Sequence, residues 1–263
     1  MLPDKKLFLF DIDGTVAIDE TLIDGSRELF SHIDSIGGKS IFITNNSTKG
    51  VRDYMEKFRR MGVETDESNF ITASYAAAIH LRAHYPGKKV FLLGTRSFAG
   101  ELRAAGVDVT ETLEPGIACA VVGFDSELTY RKVELLCELL LTRPVDYLAT
   151  NPDLCCPVGF GAVPDCGAIC KMIGCAVGRE PLFIGKPNRV MVDLCLGAAG
   201  FSPDETLVVG DRLYTDIACG VNAGVDTAVV FTGEAKPEDI PASRWQPTWQ
   251  FPDVRALLNA LRE

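Results

Sequence analysis

The stretch Leu7-Phe8-Leu9-Phe10-Asp11-Ile12-Asp13-Gly14-Thr15 decides how the rest of the chain is read. Four apolar residues make a core strand, and the strand stops on two carboxylates. Side chains two apart on an extended backbone point to the same side, so Asp11 and Asp13 can address one spot just past the strand's end. That pairing suits one nucleophile and one proton carrier. Gly14 lets the chain turn away, and the Thr15 hydroxyl can brace the turn. Taken alone, the run would equally describe a strand that ends in an Asx turn.

Three further polar tips follow apolar strands. Ser40-Ile41-Phe42-Ile43 runs into Thr44-Asn45-Asn46-Ser47-Thr48, Leu182-Phe183-Ile184 runs into Gly185-Lys186-Pro187, and Thr206-Leu207-Val208-Val209 runs into Gly210-Asp211-Arg212-Leu213-Tyr214-Thr215-Asp216. In an open α/β sheet, ligands bind outside the carboxyl ends of the parallel strands. Four such tips are therefore expected to converge on one crevice, and the set weighs far more than any one member.

Strands and helices alternate from the start, the pattern of a parallel sheet with helices on both faces. Helices are expected near residues 26–36, 49–61, 188–199 and 215–223, and strands near 39–44, 70–73 and 226–231. About a hundred residues lie between the second and third tips, a domain-sized insertion with strands near 90–93, 118–122 and 145–149 and helices near 75–83, 97–105, 127–141 and 166–177. The expected architecture is α/β: a doubly wound, Rossmann-like parallel-sheet core made of residues 1–75 and 182–263, with an inserted α/β cap of residues 76–181. The tail around Pro247 to Pro252 is expected to cover a sheet edge before a last helix.

The chain has 263 residues, 47% of them hydrophobic, and a mean hydropathy of +0.13, enough for a sizeable core. No apolar stretch reaches the roughly 18 to 20 residues that cross a bilayer. The N-terminal residues lead directly into a core strand with no export signal, so a cytoplasmic protein is expected. A net charge of -10 and a pI near 4.9 argue against nucleic acid or an anionic membrane as partner. A small phosphorylated metabolite stays compatible, because a bound divalent cation and one lysine can invert the local field.

Nine cysteines, scattered mostly through apolar segments, fit reduced thiols packed as small hydrophobes. Cys155, Cys156, Cys166, Cys170 and Cys175 form a looser cluster. Cys166 and Cys170, four apart on an expected helix, could face a zinc ion, but no C-x-x-C pair supports one.

The chemistry these residues permit is phosphoryl transfer. A carboxylate that attacks a phosphoryl group needs both negative charges offset, which Mg2+ can do with two or three protein oxygens. Asp11 and Asp211 are candidate ligands, with the Asp13 backbone carbonyl as a third. Asp216, five residues on at a helix start, is placed to hold a metal-bound water or to cap that helix, with the outer-sphere role favoured. Lys186, set between Gly185 and Pro187, can reach both the phosphate and Asp11. Thr44 supplies a hydroxyl, and the amides after it can donate to phosphate oxygens. The Asn45 and Asn46 side chains are either further donors or turn formers. Asp11 then attacks phosphorus while Asp13 protonates the leaving oxygen and later deprotonates the hydrolytic water.

The ordered set Asp11-x-Asp13-Gly14-Thr15, Thr44-Asn45-Asn46, Gly185-Lys186-Pro187 and Gly210-Asp211-x-x-x-Thr215-Asp216 resembles the phosphatases of the haloacid dehalogenase (HAD) superfamily over essentially the whole chain. The insertion resembles the C2 cap of subfamily IIA, home of NagD-type and 4-nitrophenyl phosphatases, and Ala149-Thr150-Asn151-Pro152-Asp153 is similar to its cap signature. The resemblance implies a Mg2+-dependent phosphomonoesterase with Asp11 as nucleophile, Asp13 as acid/base, Thr44 and Lys186 on the phosphate, and Asp11, Asp13 and Asp211 on the metal. Expected substrates are nucleoside monophosphates, sugar phosphates or similar metabolites, with p-nitrophenyl phosphate in vitro. Leu154-Cys155-Cys156-Pro157 replaces the histidine-bearing loop of a pyridoxal phosphatase, and Gly159 to Ala168 looks closest to the NagD-type branch. A cap of this size also leaves room for a homodimer. The alternatives are a phosphotransferase or mutase of the same superfamily and a phosphoacceptor signalling module, which would be half as long and lack the cap.

Overall fold

The computed structural model describes residues 1–158 and 160–263; Gly159 and the side chain of Pro157, both quoted above from the cap, lie outside the described residues. The chain divides into two compact units. One comprises Met1–Thr44, Val51–Ile71 and Lys186–Glu263, and the other comprises Asn45–Gly50 and Thr72–Gly185.

The first unit is built on a six-stranded sheet in the order Trp249–Phe251, Asp226–Val230, Thr206–Gly210, Leu7–Phe10, Lys39–Thr44, Phe70–Thr72. Leu7–Phe10 is central and pairs in parallel with Thr206–Gly210 on one side and Lys39–Thr44 on the other. The strand order thus reverses around Leu7–Phe10, and such a reversal opens a crevice at the carboxyl ends. All four residues of that strand are buried, because alternate side chains feed two different layers. Phe8 and Phe10 join Phe42, Leu207 and Val209 against helices Ser26–Ser35 and Val254–Leu261. Leu7, Leu9, Ile41 and Ile43 take the opposite face, where helix Val190–Ala199 packs on the same strands.

Rings knit the first layer together. Phe42 lies 4.3 Å from Phe58, 5.3 Å from Phe30 and 5.4 Å from Phe70, centroid to centroid. Truncating such a ring to alanine costs about 3–5 kcal/mol through lost burial and the cavity left behind. The packing anchors Lys39–Thr44 and helix Val51–Arg60, which carries Phe58.

The second unit has a five-stranded parallel sheet in the order Leu182–Phe183, Asp146–Ala149, Ile117–Val122, Lys89–Leu93, Asp108–Thr110. Helices Ala73–His84, Arg96–Ala104, Tyr130–Thr142 and Cys166–Val177 accompany it. Cys155–Val158 and Gly161–Pro164 add an antiparallel pair. The second unit also runs wider than the sequence expectation, from Thr72 to Gly185. Leu182–Phe183, read as a returning core strand, pairs with Leu148 and Ala149, and Ile184 N–H donates to the Ala149 carbonyl at 2.9 Å, so this strand belongs to the second unit. The segment Asn45–Gly50 also belongs there, through contacts described below.

All nine cysteines are free thiols, and Cys166 and Cys170 are buried in the second unit's core. Among the described residues no cysteine belongs to a group able to hold a metal, and no helix is long and apolar enough to cross a membrane.

Candidate active site

Register places the acids. Phe10 pairs with Val209 and with Phe42, so the residues that follow, Asp11, Gly210 and Ile43, leave the sheet side by side. Asp11 N–H still donates to the Val209 carbonyl at 2.9 Å, which holds its backbone in the strand direction. Lys186 bridges what emerges: its Nζ donates to Asp11 Oδ1 at 2.6 Å, to Asp216 Oδ1 at 2.6 Å and to the Ile43 carbonyl at 3.1 Å. The Lys186 side chain is 2% exposed. Burial alone would lower its pKa, but the Asp11 and Asp216 carboxylates outweigh burial and hold the ammonium above the ordinary lysine range.

Asp211 is fixed from three sides. Thr15 Oγ1 donates to its Oδ1 at 3.1 Å, Glu234 N–H donates to its Oδ2 at 2.8 Å, and Ala235 N–H donates to its backbone carbonyl at 2.9 Å. Thr15 therefore does more than brace the turn after Asp13. Two glycines make the space: a Cβ at Gly233 would come 2.0 Å from Asp211 Oδ2, and one at Gly14, whose φ is +94°, would come 2.8 Å from it.

Asp216 reaches the same place through an irregular turn. Leu213–Ile217 forms a π-helical turn, with Ile217 N–H donating to the Arg212 carbonyl at 3.2 Å, and this wide turn brings Asp216 back beneath the end of Thr206–Gly210. Asp216 Oδ2 accepts from Arg212 N–H at 3.0 Å, and its Cβ lies so close to Gly210 that a side chain there would collide at 2.2 Å. Asp216 is 1% exposed.

Asp11, Asp211 and Asp216 each offer an oxygen within 4.8 Å of the others. The carboxylates outnumber the ammonium beside them. Burial pushes the Asp11 carboxyl up to about 8, against the pull of Lys186 and with the push of Asp216 and Asp211. Burial and Asp216 likewise push Asp211 up to about 6, against the Glu234 amide, Arg212 and Thr15. Crowded, partly desolvated hard oxygens with surplus negative charge are the donor set that suits a small divalent cation.

Asp13 stands apart from that carboxylate set. Its Oδ1 accepts from Lys57 Nζ at 2.8 Å, and its side chain is 40% exposed while that of Lys57 is 8% exposed. The sequence assigns Asp13 to the metal through its backbone carbonyl and Asp216 to an outer-sphere role; the structure sets the Asp13 carboxylate against Lys57 and brings the Asp216 carboxylate next to those of Asp11 and Asp211. Lys57 was not anticipated. Its signal was a lysine on the apolar face of Val51–Arg60, in line with the buried Tyr54 and Phe58.

Thr44 ends its strand buried at 4% exposure, beside the Ile43 carbonyl that Lys186 engages. Asn45 and Asn46 belong to the second unit. Asn45 Nδ2 donates to Asp153 Oδ2 at 2.8 Å within the second unit, and Asn46 Oδ1 accepts from Thr48 N–H at 2.9 Å and Thr48 Oγ1 at 2.7 Å, an Asx turn that shapes the loop.

Comparison with known proteins agrees with this geometry. Residues 8–108 match the family described as haloacid dehalogenase-like hydrolase, and residues 183–257 match its HAD-hydrolase-like companion. An acid sugar phosphatase of Staphylococcus aureus is 31% identical over 258 residues, 98% of each chain. The chain belongs to the haloacid dehalogenase-like hydrolases. A 4-nitrophenylphosphatase of Thermotoga maritima shares the fold at a TM-score of 0.93 and 36% identity, covering 99% of this chain and 98% of that one. A glycerol phosphate phosphatase of Mycobacterium tuberculosis, solved in complex with magnesium, superposes at 0.91 with 25% identity, covering 97% of this chain and 77% of that one. The protein is a phosphatase of this HAD family, in the NagD-type, subfamily IIA branch that its motifs resemble.

Proposed function

We propose that this HAD phosphatase is a Mg2+-dependent phosphomonoesterase that releases inorganic phosphate from a small metabolite through an aspartyl phosphate on Asp11. The observation that carries the proposal is the shared ammonium: Lys186 sits 2.6 Å from both Asp11 and Asp216, with Asp211 in the same cluster. Asp11, Asp211, Asp216 and the Asp13 carbonyl would hold the ion. Bound there, Mg2+ supplies the positive charge that keeps Asp11 ionised and draws density from the phosphoryl oxygens.

Asp11, anchored by Lys186, attacks phosphorus in line, and the bond to the leaving oxygen breaks as the bond to the Asp11 oxygen forms. Lys186, the Thr44 hydroxyl and the amides of residues 45 and 46 neutralise the charge on the transferred group. Asp13, steadied at Oδ1 by Lys57, delivers a proton to the leaving oxygen and then takes one from the water that attacks the phosphoenzyme. In this reading the Asn45 and Asn46 side chains shape the loop, and their backbone amides meet the phosphate.

Sugar phosphates and nucleoside monophosphates are the substrates proposed, in line with the acid sugar phosphatase and 4-nitrophenylphosphatase among the relatives. A reducing, cytoplasmic setting suits nine free thiols. The test is a panel of phosphomonoesters assayed for phosphate release with Mg2+ and with chelator. Mg2+-dependent release from sugar phosphates or nucleotides is expected; no release from any ester with Mg2+ present would overturn the proposal.

A further inference from the structure

The second unit contains a buried polar node that takes no part in the chemistry above. Thr150, Asn151 and Asp153 follow the strand Asp146–Ala149, and all three are at most 3% exposed. Thr150 Oγ1 donates to Asn151 Oδ1 at 2.7 Å, and Asn151 Nδ2 donates to Asp153 Oδ2 at 3.0 Å and to Asp165 Oδ1 at 3.1 Å. Asp165 also caps helix Cys166–Val177. So far this is scaffold.

Two other segments of the unit are tied into the node. Asn45 Nδ2 donates to Asp153 Oδ2 at 2.8 Å, the same oxygen that Asn151 uses. Gly185 N–H donates to the Thr150 carbonyl at 2.6 Å. These segments also press on each other: a Cβ at Gly185 would lie 2.6 Å from Asn45 Oδ1 and 2.4 Å from the Thr150 carbonyl. Farther along the loop, Ser47 Oγ lies 3.3 Å from Thr150 Oγ1 and accepts from Phe124 N–H at 3.0 Å. The residue before Asn45 is Thr44, and the residue after Gly185 is Lys186. The Asp153 carboxylate therefore holds the residue next to Thr44, and the Asn45 side chain that it fixes lies against Gly185, the residue next to Lys186.

We propose that Asp153 is a positioning residue for phosphate recognition. By holding the Asn45 side chain against Gly185, it sets the backbone from which Thr44 and Lys186 extend. The proposal rests on the reading of those two residues as the phosphate-binding groups. An error of about 1 Å in placing such groups costs on the order of 10²-fold in rate. Asp153→Asn keeps an oxygen for both Asn45 and Asn151, whereas Asp153→Ala removes it.

The experiment measures KM and kcat for p-nitrophenyl phosphate, the inhibition constant of inorganic phosphate, and Tm, for the parent chain, Asp153→Ala, Asp153→Asn, Asn45→Ala and the double variant. Asp153→Ala is expected to raise KM and the phosphate inhibition constant in parallel, by about tenfold, with kcat/KM falling by up to about 10²-fold. Asp153→Asn should restore both binding constants to near the parent values. Because the two alanines cut one link, the double variant should be no worse than the weaker single. Should Asp153→Ala fail to fold, Asn45→Ala opens the same link from its other end. An active parent whose Asp153→Ala and Asn45→Ala variants keep parental KM and phosphate inhibition overturns the positioning role alone. A parent that releases no phosphate from any monoester overturns the reading beneath it.

Discussion

The two sheets of this chain each bury aspartates at their carboxyl ends, yet hold them in opposite ways. In the first unit, the carboxylates of Asp11, Asp211 and Asp216 crowd together with the Lys186 ammonium between Asp11 and Asp216, and Asp11 and Asp211 are pushed up to about 8 and about 6. In the second, Asp153 and Asp165 accept hydrogen bonds from the neutral side chains of Asn45 and Asn151. Fixed neutral donors suit a scaffold, since they satisfy an acid without moving charge. Surplus negative charge suits a site that awaits a cation and an anionic substrate. The difference lies in the donors more than in the acids.

The sharpest way to break that comparison is to neutralise one acid in each cluster. Asp11→Asn should lower phosphate release by on the order of 10⁴-fold or more, as loss of a covalent nucleophile does. Asp165→Asn should retain most turnover, and comparable losses in both variants would erase the distinction. Chelation comes next in size. Removing divalent ions should abolish turnover and Mg2+ should restore it, while Mg2+ at about a hundredfold its Kd should stabilise the fold by about 2.7 kcal/mol. That rise in Tm should vanish in Asp211→Asn and persist in Asp165→Asn; a rise retained in Asp211→Asn would remove Asp211 from the metal set.

A smaller effect tests Lys57. Lys57→Met should cost less than the roughly 10²- to 10⁴-fold that general acid-base catalysis is worth, because it unsettles Asp13 without deleting it. The loss should be greater for sugar phosphates, whose alkoxide leaving groups need a proton, than for p-nitrophenyl phosphate. Equal losses on both esters would argue that Lys57 serves only the packing of its helix.

The smallest effect concerns pH without metal. Asp11 and Asp211 have folded-state pKa values above the ordinary carboxylate value of 3.8. The folded chain then binds more protons than the unfolded one, so this contribution is full below pH about 4 and is lost as pH rises through about 6 and 8. Metal-free protein should therefore lose a few degrees of Tm over that range relative to Asp211→Asn, and saturating Mg2+ should cancel the difference. A metal-free Tm difference that is flat across this range would contradict the crowding.

Much of this arrangement was legible in the chain. Leu7–Phe10, Lys39–Thr44 and Thr206–Gly210 end where their apolar runs give way to Asp11, Thr44 and Asp211, because a buried strand must stop where polar groups need room. The segments that match HAD-like hydrolases, residues 8–108 and 183–257, contain those tips. What escaped reading depends on long-range pairing or irregular turns. Leu182–Phe183 is too short for its pattern to name its partner strand, and Asp108–Thr110 is shorter than the period needed to recognise a strand. Asp216 was ambiguous because its reach depends on a π-helical turn that spacing does not reveal. The roles of Asn45 and Lys57 depend on Asp153, 108 positions away, and Asp13, 44 away, which no local window spans.

The close approach of Gly233 to Asp211 leaves no room there for one added methyl group. An alanine there would place its Cβ 2.0 Å from a carboxylate oxygen of Asp211, so that the carboxylate must move. On the proposed mechanism, Gly233→Ala would keep the Asp11 nucleophile but disturb the Asp211 ligand to the counter-ion, a decoy suited to capturing an ester that the parent would hydrolyse.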